Sequence, residues 1–307
     1  MRETKNSVQI VGILSEINVR PVTYEKDGRT RNALAGDIKV RVNQKINGAD
    51  VECEVPVYYF TSELTNSGDK NKAYIALETA INTLKSIAAV GYDEADAVRI
   101  NAADTAKGFA HAIRMNEYWK PDGTLSSYPR IHATFISKIE RDKMIPKATF
   151  EMEAVIKNIA KEIKNDMETG RLRIQAVVGQ YNCADVVELV TSSPSVSNAV
   201  ESYWNVNDTV HFRGYLNFSS KTETVINDTG FGEPMEDTRT IRVSELVISG
   251  GDPTPLEGEL AISKQEVDEA LAQKRIKLEN DKKRAEKKEN PASKPMPTFN
   301  PNDLYGF

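Results

Sequence analysis

The chain is poor in two residue types that often carry covalent and metal chemistry: two cysteines and three histidines among 307 residues. Cys53 and Cys183 stand far apart, with no Cys or His near either at metal-ligand spacing. Neither a disulfide framework nor a zinc site is therefore expected, and two thiols in a reducing compartment are. No apolar run approaches the roughly 20 residues that span a bilayer. Residues 1–7 are polar and lack the apolar core of a signal peptide, so a cytoplasmic protein without a membrane partner is expected. The patterns GxxxxGK[ST], HExxH, GxSxG and CxxC are all missing. His111, His132 and His211 each fall inside a strand pattern, where a satisfied or surface imidazole is the expectation. Gly230-Phe231-Gly232 follows no strand-to-helix switch and leads into acidic residues, so it is read as a hairpin loop. The sequence thus predicts no catalytic residue, no metal and no cofactor, in a protein that is not an enzyme.

What is present is a set of alternating segments. Leu34, Gly36, Ile38, Val40 and Val42 occupy every second position, with Asp37, Lys39 and Arg41 between them. That period places one set on a core face and the other in water. Asn47-Gly48 supplies a turn that tolerates positive φ, and alternation resumes at Val51, Cys53, Val55, Val57 and Tyr59. A long β-hairpin results. An earlier strand covers 7–20, with Gly12 as a bend, and 21–31 reads as a polar loop. After the hairpin, Tyr74, Leu77, Ile81, Leu84 and Ala88 recur at helical spacing and Gly91 ends the helix. Two further strands follow, 97–101 continuing through 109–118 after an interruption, and 130–139. Trp119-Lys120-Pro121-Asp122-Gly123 forms the turn between them. Three strands, a helix and two strands make the order of a small Greek-key barrel, the OB-fold.

The order then repeats. Residues 149–159 carry the pattern of 7–17, with Ala154 in the place of Gly12. A second hairpin covers 171–191, and Ser193-Pro194 opens a short helix. Residues 208–212 match 96–100, and 240–244 match 130–134. Duplication is the reading. The expected architecture is mainly β: two tandem OB-fold-like Greek-key barrels, 1–145 and 146–250, each with a helix after its third strand. Residues 251–307 form a charged helical and flexible C-terminal tail. Its helix at 263–289 has a thin seam of Val267, Leu271, Leu278 and Ala285, which predicts a solvated or transiently packed helix. Prolines 291, 295, 297 and 301 then give an extended linker to a hydrophobic tip.

Charge separates the two units. Lys and Arg number 20 against 19 acidic residues in 1–145, and 10 against 15 in 146–250. A polyanion site therefore belongs to the first unit. Its cations include Arg20, Lys26, Arg29, Arg31, Lys39, Arg41, Lys45, Arg99, Lys107, Arg114, Lys120 and Arg130, with aromatic residues interleaved. Cations neutralise phosphates, and exposed rings stack on bases for about 1–3 kcal/mol each with little regard to sequence. Tyr59 and Tyr74 read as core, whereas Tyr24, Tyr58, Phe60, Tyr118 and Trp119 are the stacking candidates. The nucleic-acid-binding set is completed by Lys26, Arg29, Arg31, Lys39, Arg41, Arg114 and Lys120. In the second unit Tyr181, Trp204, Tyr215 and Phe218 have fewer cations beside them.

The order 7–17, 34–43, 51–60, helix, 98–101, then Asn116-Glu117-Tyr118-Trp119-Lys120-Pro121-Asp122-Gly123, resembles the single-stranded-DNA-binding protein family of bacteria and their phages. The resemblance implies an OB-fold that binds single-stranded DNA in replication, recombination or repair. It also implies a flexible tail whose Phe-terminated tip recruits partner proteins, a role that falls here on Asp303, Leu304, Tyr305 and Phe307. The chain departs from that family in having two such units and one acidic residue in the tip.

Two other classes fit the same composition. A viral or structural assembly protein would form large oligomers without DNA affinity. An accessory subunit of a nucleic-acid enzyme would copurify with its catalytic chain. The single-strand reading predicts that affinity for an oligo-dT strand falls as salt rises from 50 to 300 mM. Fluorescence titration measures this, and an affinity independent of salt refutes it.

Overall fold

The computed structural model describes residues 1–26, 28–103, 112–164, 166–180, 183–227 and 235–289. Lys107, Phe109, His111, Tyr181, the Gly230-Phe231-Gly232 segment and the C-terminal tip lie outside them. The first unit contains β1 (Asn6–Lys26), β2 (Arg29–Ile46), β3 (Ala49–Ser62), α1 (Lys72–Thr83), α2 (Ile87–Val90), β4 (Ala97–Ala103), β5 (Ile113–Trp119), β6 (Leu125–His132) and β7 (Ser137–Ile139). The second contains β8 (Lys147–Lys164), β9 (Met167–Gln180), β10 (Cys183–Thr191), α3 (Pro194–Tyr203), β11 (Thr209–Asn227) and β12 (Met235–Gly251), followed by α4 (Lys264–Glu289). Among the described residues no helix is long and apolar enough to cross a membrane.

Each unit is an OB-fold barrel. In the second, β8 pairs with β9, β9 with β10, β10 with β12 in parallel, β12 with β11, and β11 with β8. Five strands thus close on themselves with one parallel contact. The first unit has the same circuit, its fourth strand split into β4 and β5 and its fifth into β6 and β7.

The leading strand of each barrel serves two neighbours. Ile13 pairs with both Arg41 and Ala97, and Val155 with both Val177 and Thr209. A strand can change partners only by bending, and Gly12 and Ala154 stand just before the two switch points. At Gly12 a Cβ would lie 2.2 Å from the Arg41 carbonyl oxygen, so only glycine allows the strands to approach this closely. The repeat read from the sequence is therefore in register here. It is not at the last strand. Ile131 and Leu246 correspond, because they pair with Val57 and Leu189 at matching places in the circuit. Arg130 accordingly matches Glu245, five residues beyond the Thr240 that the sequence pattern selected. The two terminal hairpins differ in length, and alternation alone carries no marker for that difference.

The barrels are joined through their leading strands. β1 and β8 pair antiparallel from Asn6↔Met152 to Val11↔Lys147. Val8 pairs with Phe150, its own counterpart in the repeat, so a local two-fold relates the barrels at this point. One apolar cluster runs through both, from Ile10, Val40 and Tyr59 to Met152, Ile174 and Phe212. Gln44 fastens the join: its amide nitrogen donates to the Leu216 carbonyl at 2.8 Å, and its amide oxygen accepts from the Ala148 N–H at 2.9 Å.

Three local expectations change. Residues 21–26 and 29–31 are not loop but the outer part of the β1–β2 hairpin, with Tyr24 opposite Arg31 and Lys26 opposite Arg29. The ladder there is local, 23–26 running back along 29–32, and its polar composition carries no apolar alternation to mark it. The first helix does not run on to Ala88: Leu84 is extended, and α2 starts afresh after Ser86. Asp96 holds the chain at the break, accepting from the Lys85 N–H at 2.9 Å and pairing with Lys138 at 2.6 Å. Third, α4 is packed. Val267 and Ala270, with Ile262 just before the helix, are buried against Val155, Val177 and Ala184 of the second barrel. Gly12→Ala is expected to cost about 1–3 kcal/mol through the forced shift of β2, measured as a fall in the urea midpoint at unchanged m-value.

Candidate nucleic-acid interface

The β5–β6 hairpin divides the candidate residues between two faces. Its register sets Arg114 opposite Arg130, Asn116 opposite Tyr128, and Tyr118 opposite Ser126. Because side chains alternate, Arg114, Tyr118, Tyr128, Arg130 and His132 share one face. The other face carries Ile113 and Ile131 into the core, then Met115, Glu117 and Trp119 toward the tip.

The first face joins the outer side of β3. The Arg130 guanidinium lies 4.3 Å from the Tyr58 ring centroid, and His132 meets Tyr58 edge-on at 5.2 Å. Phe60, 47% exposed, packs edge-on against Tyr24 at 5.3 Å, and Tyr24 hydrogen-bonds Ser62. At the other end Tyr118, 48% exposed, meets Tyr128 edge-on at 6.4 Å. A cleft of about 470 Å³ lined by Tyr58, Phe60, Asn71, Arg114 and His132 lies along this line. The arrangement offers exposed ring faces beside guanidinium groups, the combination that holds bases and phosphates together.

Burial and the nearby charges of Arg114 and Arg130 push the His132 imidazole down to about 4. It is a neutral ring at pH 7 and adds no charge to the face.

The other candidates are distributed differently. Arg29 and Arg31 line a second cleft, of about 350 Å³, with Asn66 and Ser67, and Lys26 donates to Asn66 at 3.2 Å. Lys39 and Arg41 share the outer side of the β2–β3 hairpin with Tyr58 and Phe60. Each is engaged with a carboxylate: Lys39 with Glu16 at 2.6 Å, Arg41 with Glu52 at 3.6 Å. The Lys39 hydrogen bond, with a second from Asn18, holds the Glu16 carboxyl below its usual value. Lys120 is exposed at the hairpin turn.

Trp119 is the correction. It faces away from Tyr118, its indole N–H donates to the Leu278 carbonyl of α4 at 2.9 Å, and the Lys282 ammonium sits 4.8 Å from its ring. Alternation along β5 separates residues 118 and 119, whereas their turn-flanking position by itself predicts that both rings are free. Arg130, Tyr128 and His132 were the residues undervalued from sequence, and their shared parity with Tyr118 across the Asp122-Gly123 turn is the signal that finds them.

The corresponding surface of the second barrel has different chemistry. Following the ladders, Val190 stands for Tyr58, Ser192 for Phe60 and Glu245 for Arg130. Glu245 pairs with Arg171 at 3.1 Å. Asn47, at the tip of the first unit's β2–β3 hairpin, donates to the Ser192 carbonyl and accepts from the Tyr215 hydroxyl at 3.0 Å. Trp204 is buried, its N–H donating to the Asp252 carbonyl at 2.9 Å.

The His132 shift has a defined sign. The unfolded imidazole takes up a proton below about pH 6.5 while the folded one stays neutral to about 4, so stability falls as pH drops through that window. The loss is up to about 3 kcal/mol at roughly 1.4 kcal/mol per pH unit. Urea unfolding at pH 7.5 and 4.5 should show a larger loss for the native chain than for His132→Gln.

Among solved structures, the chain is similar to wild-type single-stranded DNA binding protein from Thermus aquaticus, at 12% identity and a TM-score of 0.47, over 84% of this chain and 96% of that one. No curated protein matches. The family model described as YorF matches residues 5–284, across both barrels and most of α4, and the chain belongs to the YorF family.

Proposed function

We propose that this protein binds single-stranded DNA, without strong sequence preference, along the face formed by Tyr24, Phe60, Tyr58, Arg130, Tyr128 and Tyr118. The observation that carries the reading is the Arg130 guanidinium stacked at 4.3 Å on Tyr58, with exposed Phe60 and Tyr118 on either side. A guanidinium held on a ring stays close to the surface, so a phosphate it binds brings its base within reach of the neighbouring rings. Arg114 and the Lys26, Arg29, Arg31 group add positive charge along the approach. The second barrel supports the first and contributes less to the strand, since its matching surface carries Glu245 and is met by Asn47.

On this reading the protein works in replication, recombination or repair in a phage or bacterial cytoplasm, as a binding protein rather than an enzyme. Its tip, Asp303, Leu304, Tyr305 and Phe307, recruits partner proteins.

Titration with oligo-dT and with a duplex of the same length tests the proposal. The native chain should prefer the single strand. Tyr58→Ala should weaken it by about 1–3 kcal/mol, and Arg130→Ala should also reduce the slope of log K against log salt by about 0.7. Equal affinity for duplex and single strand, or no change in either variant, refutes the assignment.

A further inference from the structure

The aromatic face rests on a hairpin whose other side is gripped by α4 and the second barrel. Lys274 of α4 pairs with Glu117 of β5 at 2.7 Å and with Asp185 of β10 at 2.9 Å. The three side chains are only 12%, 16% and 8% exposed. Asp185 also accepts from the Met115 N–H at 2.8 Å and from the Gln180 side-chain amide at 2.6 Å. Gln180 in turn accepts from Arg114 Nε at 3.0 Å, and Arg114 lines the aromatic cleft. Further along β5, Trp119 donates to the Leu278 carbonyl and lies beneath Lys282. Burial works against the Lys274 charge, but Asp185 and Glu117 outweigh it and hold the ammonium above its usual value.

The hairpin would otherwise be weakly held at this end. On its core-side face Ile113 and Ile131 are buried and Met115 packs against the core, but Glu117 and Trp119 lie beyond that cluster, and a two-stranded ribbon without packing is marginal in water. The hold on it depends on charges with little access to water, which tolerate neither displacement nor loss of a partner.

We propose that Lys274 and Asp185 are positioning residues for the single-strand face: α4 braces the β5–β6 hairpin from behind and fixes Arg114, Tyr118 and Arg130 in line with Tyr58 and Phe60. Trp119 is the seat of that brace and stacks on no base. The tail helix is then part of the binding unit, although it contributes nothing to the face itself.

This inference rests on the single-strand reading above, and its test separates the two. In the full chain, Lys274→Met keeps the stem and removes the charge, Lys274→Arg keeps the charge, and Lys283→Ala changes an exposed cation of the same helix. Lys274→Met should weaken oligo-dT binding about tenfold, the scale on which packed networks carry coupling. Its salt slope should match that of the native chain, because no phosphate contact is lost. Lys274→Arg should recover most of the affinity and Lys283→Ala should lose little. In a double-mutant cycle with Tyr118→Ala the losses should fail to add, although the two residues lie on opposite faces of β5.

Hydrogen exchange at the Met115 amide supplies a readout that needs no ligand, and it should quicken in Lys274→Met. Trp119→Phe, which removes one hydrogen bond and keeps an aromatic ring, should show a smaller change of the same kind should Lys274→Met fail to fold. Native affinity and native Met115 exchange in Lys274→Met would overturn the brace and leave the binding proposal standing. Failure of the native chain to bind oligo-dT would end the binding proposal, while Met115 exchange would still decide whether α4 holds the hairpin.

Discussion

The antiparallel pairing of β1 with β8 is the constraint on which the rest of the structure depends. Two barrels built on the same circuit meet at their leading strands, and each strand must bend at its switch point to serve its own barrel and the junction together. Gly12 and Ala154 permit those bends. Because the pairing places Val8 against Phe150, the barrels are related by a local two-fold, and one apolar cluster passes through the join. A break at this junction would expose backbone N–H and C=O groups as well as apolar surface, so the halves stabilise each other.

Symmetry of backbone does not extend to symmetry of surface. One barrel presents Tyr58, Phe60, Tyr118, Tyr128 and Arg130. The matching positions that the ladders locate in the other are Val190, Ser192 and Glu245. The first unit also reaches across with Asn47 to the second unit's surface, while the second reaches back through Gln180 and Asp185 to hold the first unit's hairpin. A duplicated fold has thus been divided into a face and its support. The division follows from which side chains line each barrel rather than from any difference in strand order.

Much of this was legible from residues alone. Period-two alternation gave the strands of both barrels, Asn47-Gly48 gave the hairpin turn, Ser193-Pro194 gave the start of α3, and the repeat of order gave the duplication. Tyr58 and Phe60 were separated from Tyr59 by parity. The misreadings share a physical origin, for each turned on a hydrogen-bond partner that periodicity does not name. Residues 21–31 read as loop because they are polar and lack apolar alternation, although 23–26 pair with 29–32. Helical spacing runs on to Ala88, but it carries no sign of Asp96, which meets the Lys85 N–H where the helix ends. The match of 240–244 to 130–134 failed because pattern without hydrogen bonds cannot fix register.

The sequence by itself determined the fold class, the repeat and the placement of positive charge in the first unit, because these follow from local periodicity and composition. Only the tertiary structure decided which rings are free. Trp119 and Tyr118 are adjacent in sequence and similar in character, yet one is covered by a helix more than 150 residues away and the other is open to solvent. Exposure is a property of what packs against a residue. For this hairpin the packing comes from α4, whose residues show only a thin apolar seam and no sign that Lys274 is drawn between two carboxylates.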